Sequence, residues 1–427
     1  MNRFLLGTRD RGQGTGRFRL FRQLLLQVLF ILGILFVPRP SSLVPDFSNA
    51  WAAAGEPSEA LTPLHPVRVV VLQGAGEMRL GVSGAYRVTM LHTNEPLMEG
   101  SHLGVVDVQA QESGIQIGDR SLKVYGVRVS AAGGEPIAVN RRPFHGTVDI
   151  IRDRERRLLV INEIDVEQYL CGVLHRETSD QWPLEALKAQ AIVARTFALH
   201  QALVSTGQDY HLTAGVASQV YGGRWAERRR TTMAVSHTEG SVLTWEGRLF
   251  PAYYHSCCGG HTEAADQLWK IRLPPLAGVA DPHCRGTKHF QWTRRAPLAK
   301  VVKALRQGGY YISDVSSIRV RGTNRSGRIT EVILSDTGRS KDVAVSGKVF
   351  RTLLGSDVVR SLRCQLRLEH GALVVEGYGW GHGVGMCQWG ALVMAQQGRT
   401  AEEILAVYYP GAMIERFSGQ SVVPEKL

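Results

Sequence analysis

Pro183 followed by LEALKAQAIVARTFALHQALV (Leu184–Val204) is the stretch on which the fold turns. Leu184, Leu187, Ala191, Ala194, Ala198 and Leu199 recur at three- and four-residue spacing and lie along one stripe of a helical surface. Proline at the entrance loses no intrahelical hydrogen bond, so the run predicts a helix opening there. To either side the period shortens to that of strands. Upstream stand VRVVVLQ (Val67–Gln73), YRVTML (Tyr86–Leu91), LKVYGVRVS (Leu122–Ser130), GTVDIIRD (Gly146–Asp153) and RLLVINEI (Arg157–Ile164). Each is rich in β-branched residues and bounded by Gly, Pro or charged turns. Downstream are SVLTWEGRLFPAYYHS, then SSIRVRGTN and GRITEVILSD, which read as a hairpin turning at Asn324–Gly327. A Gly-rich stretch from Gly377 precedes a short helical run at Ala401–Tyr408. The expected class is α+β, with sheet-rich lobes around a central helix and a cleft between them.

The N-terminus carries an address. Arg3, Arg9, Arg11, Arg17, Arg19 and Arg22 face one acid, Asp10, and are followed by LLLQVLFILGILFV (Leu24–Val37). A basic segment before an apolar run reads as a signal peptide or signal anchor. The run falls short of the roughly 20 residues of a comfortable span, which favours a signal peptide. The small-residue stretch Ala50–Gly55 lies beyond Pro38, Pro40 and Pro45, so retention of residues 20–38 as a membrane anchor stays open. Export to the periplasm or cell envelope is expected on either reading. The organisation predicted is a leader and linker over 1–55, a β-rich part over 67–165 and a cleft-bearing part over 166–415. The net charge of +12 suits anionic wall polymers or a membrane surface, and equally mere solubility; export argues against nucleic acid as a partner.

Three stretches carry chemistry. In Leu170–Phe197, Glu177 precedes a polar turn and the Pro-opened helix. A carboxyl group at such a boundary, partly desolvated, has a raised pKa and can protonate a leaving oxygen. A single Glu before a helix is more often solvated or capping. His175, Arg176, Asp180, Lys188 and Arg195 are near enough in sequence to tune its charge, and Lys188 and Arg195 are also candidates for holding substrate.

The second stretch is YYHSCCGGHTEAADQLW (Tyr253–Trp269), with DPHC (Asp281–Cys284) after it. The six cysteines are few for the length and two are adjacent, which argues against a disulfide framework. His255, Cys258, His261 and Cys284 make two imidazoles and two thiols, a full tetrahedral set for a structural zinc, with Cys257 and His283 as spares. A Cys258–Cys284 disulfide is the competing reading. The third stretch, GYGWGHGVGMCQWGALVMAQQG (Gly377–Gly398), sets His382, Gln388, Trp380 and Trp389 among six glycines between 377 and 390. Flat aromatic and amide groups on a close-approaching backbone suit sugar rings, and no Lys-Ser/Thr phosphate-loop signature is present.

Four blocks in order then resemble the SpoIID/LytB family, which joins the stage II sporulation protein D lytic transglycosylases to the related amidase enhancers. They are INEIDVEQYLCGVLHRE with WPLEALKAQAIVARTFAL, SQVYGG (Ser218–Gly223), YYHSCCGGHTEAADQLW, and GWGHGVGMCQWGALVMAQQG with ILAVYYPG. The resemblance spans about residues 67–415. It implies cleavage of peptidoglycan glycan strands between N-acetylmuramic acid and N-acetylglucosamine, with 1,6-anhydro products and Glu177 as the acid and then the base. It also implies a metal, which the His255, Cys258, His261 and Cys284 set would match. His382 and Gln388 are expected sugar-binding residues, and Ser218, Gln219 and Tyr221 further ones. The alternative function is a non-catalytic enhancer whose partner is an N-acetylmuramoyl-L-alanine amidase. Two positions depart from the family pattern. His175 and Arg176 stand before Glu177 where small residues are expected, and Cys387 stands where a serine is expected. The basic pair would narrow the cleft or pull the Glu177 pKa down.

Overall fold

The computed structural model describes residues 66–337 and 342–417; the leader and the apolar run Leu24–Val37 lie outside them. The fold is mixed α+β, with no closed barrel. Helices among the described residues are α1 (Val166–Glu177), α2 (Leu184–Val204), α3 (Arg229–His237), α4 (Asp266–Trp269), α5 (Leu298–Gln307), α6 (Gly347–Leu354), α7 (Gln388–Gln396) and α8 (Ala401–Tyr408). No described helix is long and apolar enough to cross a membrane.

The expected upstream strands join one seven-stranded sheet. Pro66–Ala75 pairs antiparallel with Leu158–Asp165, followed by Thr147–Arg152, Gly126–Ala131, Tyr86–Met90 and Pro96–Gly100, while Leu212–Thr213 adds in parallel at the other side. A second, six-stranded sheet is built on Glu77–Val82 and Leu103–Gln111. Their inner faces and one side of α1 and α2 form a single core, in which Val67, Val129, Ile150, Leu170, Leu187 and Ala194 are buried. The chain on both sides of residue 165 thus shares one interior.

α2 begins at Leu184 with Pro183 as its N-cap residue. Every residue from Ala189 to His200 is buried, so the helix presents two apolar faces rather than one stripe. Leu187, Ala191, Ala194 and Ala198 pack into the sheet core. Ala189, Ile192 and Val193 pack into a second core with Val384, Met386, Ala391, Ile404 and Tyr408. A third core belongs to a separate lobe, where strands Gln291–Pro297, Ala372–Tyr378 and Cys364–Glu369 and the hairpin of Ser317–Thr323 with Ile329–Ser335 pack on α5 and α6. The hairpin turns through Asn324–Gly327, as its sequence predicts.

Candidate functional site

Glu177 is the last residue of α1. The Thr178 hydroxyl and N–H both donate to the Leu174 carbonyl and stop the helix there. Its carboxylate leaves the helix at the end where the macrodipole disfavours negative charge. The Glu177 Oε1 accepts the Val220 N–H at 2.7 Å. Beside it stands the buried Tyr254 hydroxyl, which approaches the carboxylate without closing a hydrogen bond of standard length. Burial raises the Glu177 pKa above the usual carboxyl range, against the lowering pull of the Val220 N–H and the Tyr254 hydroxyl. Burial, not a neighbouring carboxylate, is therefore the source of the rise. Arg176 is exposed with its stem against Gly222, and His175 turns toward Asp180, 3.8 Å away. The basic pair does not pull the Glu177 pKa down.

The Gly-rich stretch divides between two faces. Met386–Cys387 pairs in parallel with Tyr254–His255, and successive side chains of a strand point to opposite sides. On the side of Tyr254 is Gln388, at the start of α7. Its Nε2 donates to the Glu177 carbonyl at 3.3 Å and to Gln190 Oε1 at 3.2 Å. Gln388 thus holds the helix end that carries the acid. On the side of Tyr253 and His255 is His382. Its ring lies edge-on to Trp269, Tyr253 and His255, with Tyr253 stacked on Trp269 at 4.3 Å. Burial keeps this imidazole neutral, with its pKa lowered to about 4. His382 and Trp269 line a cavity of about 110 Å³ with Lys348 and Arg351. Further aromatic surface comes from Trp182, edge-on to Trp389, and from Trp380 under the Arg360 guanidinium at 4.3 Å.

Other sequence candidates are engaged inside the protein. Arg195 is fully buried, and its guanidinium grips Glu167 at 2.7 and 2.6 Å, the Ser241 and Val235 carbonyls and the Thr238 hydroxyl. All five N–H donors are used, so none is left for substrate. Tyr221 is buried, donates to Asn162 Oδ1 at 2.9 Å and packs on Tyr169; Gln219 accepts the Tyr169 hydroxyl and donates to the Ala194 carbonyl. Ser218 closes its own loop by accepting the Thr213 N–H. Lys188 pairs with Glu185, whose carboxylate also accepts the Ala401 N–H of α8.

The expected metal ligands separate. Cys258 and Cys284 meet, their sulfurs 3.4 Å apart. His255 and His261 do not join them: His255 Nδ1 is 3.1 Å from the Val384 carbonyl, and His261 Nδ1 is 2.6 Å from the Thr262 carbonyl. Asp281 and Cys387 instead lie beside the two cysteines. The ligating atoms of Cys258, Asp281, Cys284 and Cys387, all buried, lie within 4.8 Å of one another. Asp281 was visible in DPHC and Cys387 as a cysteine in an expected serine position. Tyr254, beside Glu177, gave no signal beyond its place in YYHS.

The SpoIID family profile, described as Stage II sporulation protein, matches residues 154–245, which run from the strand before α1 through Glu177 and α2. Stage II sporulation protein D of Bacillus amyloliquefaciens is 28% identical over 315 residues, 65% of this chain and 87% of that protein. Residues 154–245 are thus similar to the SpoIID domain, and the relatives named stage II sporulation protein D and amidase enhancer support a SpoIID/LytB likeness. Similarity to curated relatives extends beyond the matched residues. An uncharacterized protein of Brachyspira hyodysenteriae is 28% identical over 82% of this chain and 92% of its own length. The amidase enhancer of Bacillus subtilis is 29% identical over 58% of this chain, which spans only 40% of that protein.

Proposed function

We propose that this chain acts in the cell envelope as a peptidoglycan lytic transglycosylase, with Glu177 as its single acid and base. The observation that carries the reading is a half-buried carboxyl group at a helix end, raised in pKa by burial and held by one N–H, with Gln388 fixing its backbone. In the protonated form Glu177 gives its proton to the glycosidic oxygen between the muramic acid and glucosamine residues, and the bond from that oxygen to muramic C1 breaks. The carboxylate then takes the proton of the muramic C6 hydroxyl as its oxygen bonds to C1. The ring closes as a 1,6-anhydro sugar, water is not consumed, and Glu177 returns to its starting state. A hydrolase needs a second carboxylate to activate water or to act as nucleophile. The intramolecular closure needs no second carboxylate. The partly exposed Trp182, Trp380 and Trp389 offer flat faces for sugar rings.

A second reading, enhancement of an N-acetylmuramoyl-L-alanine amidase, draws on the relative named amidase enhancer. One experiment separates them: intact and amidase-stripped peptidoglycan is digested with the full chain and with Glu177→Gln, and products are read by mass spectrometry. Anhydromuropeptides or anhydro-disaccharides from the parent alone are expected. Reducing-end products would point to a hydrolase. No products from either chain, with faster digestion when an amidase is added, would replace the catalytic reading with the enhancer.

A further inference from the structure

We infer that Cys258, Asp281, Cys284 and Cys387 form a closed site for a thiophilic divalent cation of the zinc class. The donors come from three segments far apart in sequence, and all four residues are buried. Four ligands around a tetrahedral zinc with sulfur at about 2.3 Å stand roughly 3.8 Å apart. Here Cys258 Sγ lies 3.4 Å from Cys284 Sγ and 3.1 Å from Asp281 Oδ2, with Cys387 Sγ inside the same 4.8 Å envelope. Three thiolates and a carboxylate leave no open position, so the ion has a structural role.

Four features prepare these donors for charge. Backbone N–H groups point at sulfur: Gly260 at Cys258, and both Cys258 and Gly390 at Cys387, at 3.2 to 3.3 Å. Donors aimed at sulfur favour the thiolate that binds metal. Asp281 Oδ2 accepts the buried Tyr408 hydroxyl at 3.0 Å and Oδ1 accepts the His283 N–H, which orient the carboxylate as an outer shell does. A fourth feature is Arg328, 2% exposed, which donates to the Cys258 and His261 carbonyls and leaves its Nε without a partner. A fixed buried cation beside the loop suits a site whose ligands carry four negative charges against two on the ion. A Cys258–Cys284 disulfide uses only two of the sulfurs and leaves Cys387, Asp281 and Arg328 in one interior without that balance.

The ion would tie the start of α7 to the Cys258 and Cys284 segments, because Cys387 is the N-cap residue of α7 and precedes Gln388. Binding releases the thiol protons. The test is metal content of the full chain purified without chelator, read by elemental mass spectrometry, with cobalt(II) substitution to show thiolate-to-metal charge transfer. About one zinc per chain is expected, with the three site thiols protected from alkylation until a strong chelator is added. Cys284→Ser and Cys387→Ser are expected to lower affinity at least about tenfold, while His255→Ala and His261→Ala keep the ion. A metal-free chain with a Cys258–Cys284 disulfide in its peptide map overturns the site. So does loss of metal in the histidine variants with retention in the cysteine ones. If the cysteine variants do not fold, chelator-dependent alkylation of the parent chain still decides.

Discussion

Arg195→Met separates a substrate-binding arginine from a structural one. The Arg195 side chain is fully buried, and Glu167 retains 24% of its side-chain exposure. The substitution keeps the length of the apolar stem and removes two charge-assisted bonds to Glu167 with those to the Ser241 and Val235 carbonyls and Thr238. Breaking a buried ion pair on one side costs about 3–5 kcal/mol, because the other charge is left unpaired. The partial exposure of Glu167, and the Gly240 N–H it keeps at 3.1 Å, place this case at the low end, about 3 kcal/mol. At about 2–4 °C per kcal/mol that lowers Tm by about 6–12 °C. Calorimetric melting of the full chain is the assay, run beside glycan digestion well below Tm. The companion Arg195→Met with Glu167→Leu removes both charges and is expected to recover most of the loss. A Tm within about 2 °C of the parent, combined with a large rise in KM for glycan, would refute the reasoning and return Arg195 to the substrate.

The remaining predictions follow from the same contacts. Activity should fall as pH rises through the Glu177 pKa, because the acid form starts the reaction. Since burial raises that pKa, the alkaline limb of kcat should lie above the usual glutamate range, and Tyr254→Phe, which removes a lowering contact, should move it further up. At neutral pH Glu177→Gln should abolish cleavage yet raise Tm by about 2–4 °C, since an ionised carboxylate with a raised folded pKa destabilises the native state above its unfolded pKa; an unchanged or lowered Tm would contradict the desolvated setting. Tyr221→Phe should cost about 1–3 kcal/mol in thermal unfolding by leaving the buried Asn162 oxygen unmet, with no change in KM for glycan. Gly385 holds φ +71°, and a Cβ there would overlap the Tyr253 carbonyl. Gly385→Ala should therefore destabilise by at least about 2 kcal/mol in denaturant melts, and a neutral result would refute the close approach.

How much was legible depended on whether a signal was local. The period of Leu184–Val204 and the β-branched runs named their elements because the burial that shapes them repeats along the chain. The six-stranded sheet escaped because segments such as Glu77–Val82 (EMRLGV) and Leu103–Gln111 mix charge, glycine and exposed positions, and only cross-strand pairing makes strands of them. α7 escaped because six glycines just before and within it masked a helix that begins at Gln388. Glu177 was legible as an acid at a segment boundary, whereas Tyr254 was not, since nothing in its neighbourhood in sequence marks a hydroxyl bound for Glu177. Of the four expected metal ligands, the structure brings Cys258 and Cys284 together. Histidines three positions from a cysteine have ligand-like spacing, but strand alternation turns His255 toward Val384 and His382, while Asp281 and Cys387 come close to Cys258 from farther along the chain.

α2 has a consequence for how the two halves can drift apart over evolution. Its buried faces are floored with alanine, at 186, 189, 191, 194 and 198, and a methyl group is the thinnest spacer a side chain other than glycine can provide. At Ala191, Ala194 and Ala198 the sheet core, and at Ala189 the α7–α8 core, come within a methyl group of the helix backbone, while Leu187, Ile192 and Val193 fill the space between. α2 lies between the core that buries α1 and the core that buries α7, whose Gln388 holds the Glu177 carbonyl. A larger residue at Ala191 or Ala194 costs about 1–3 kcal/mol in overpacking and, before it unfolds anything, moves one jaw of the site against the other. Sequence change on the exposed surface leaves these buried alanines, and the packing they permit, untouched.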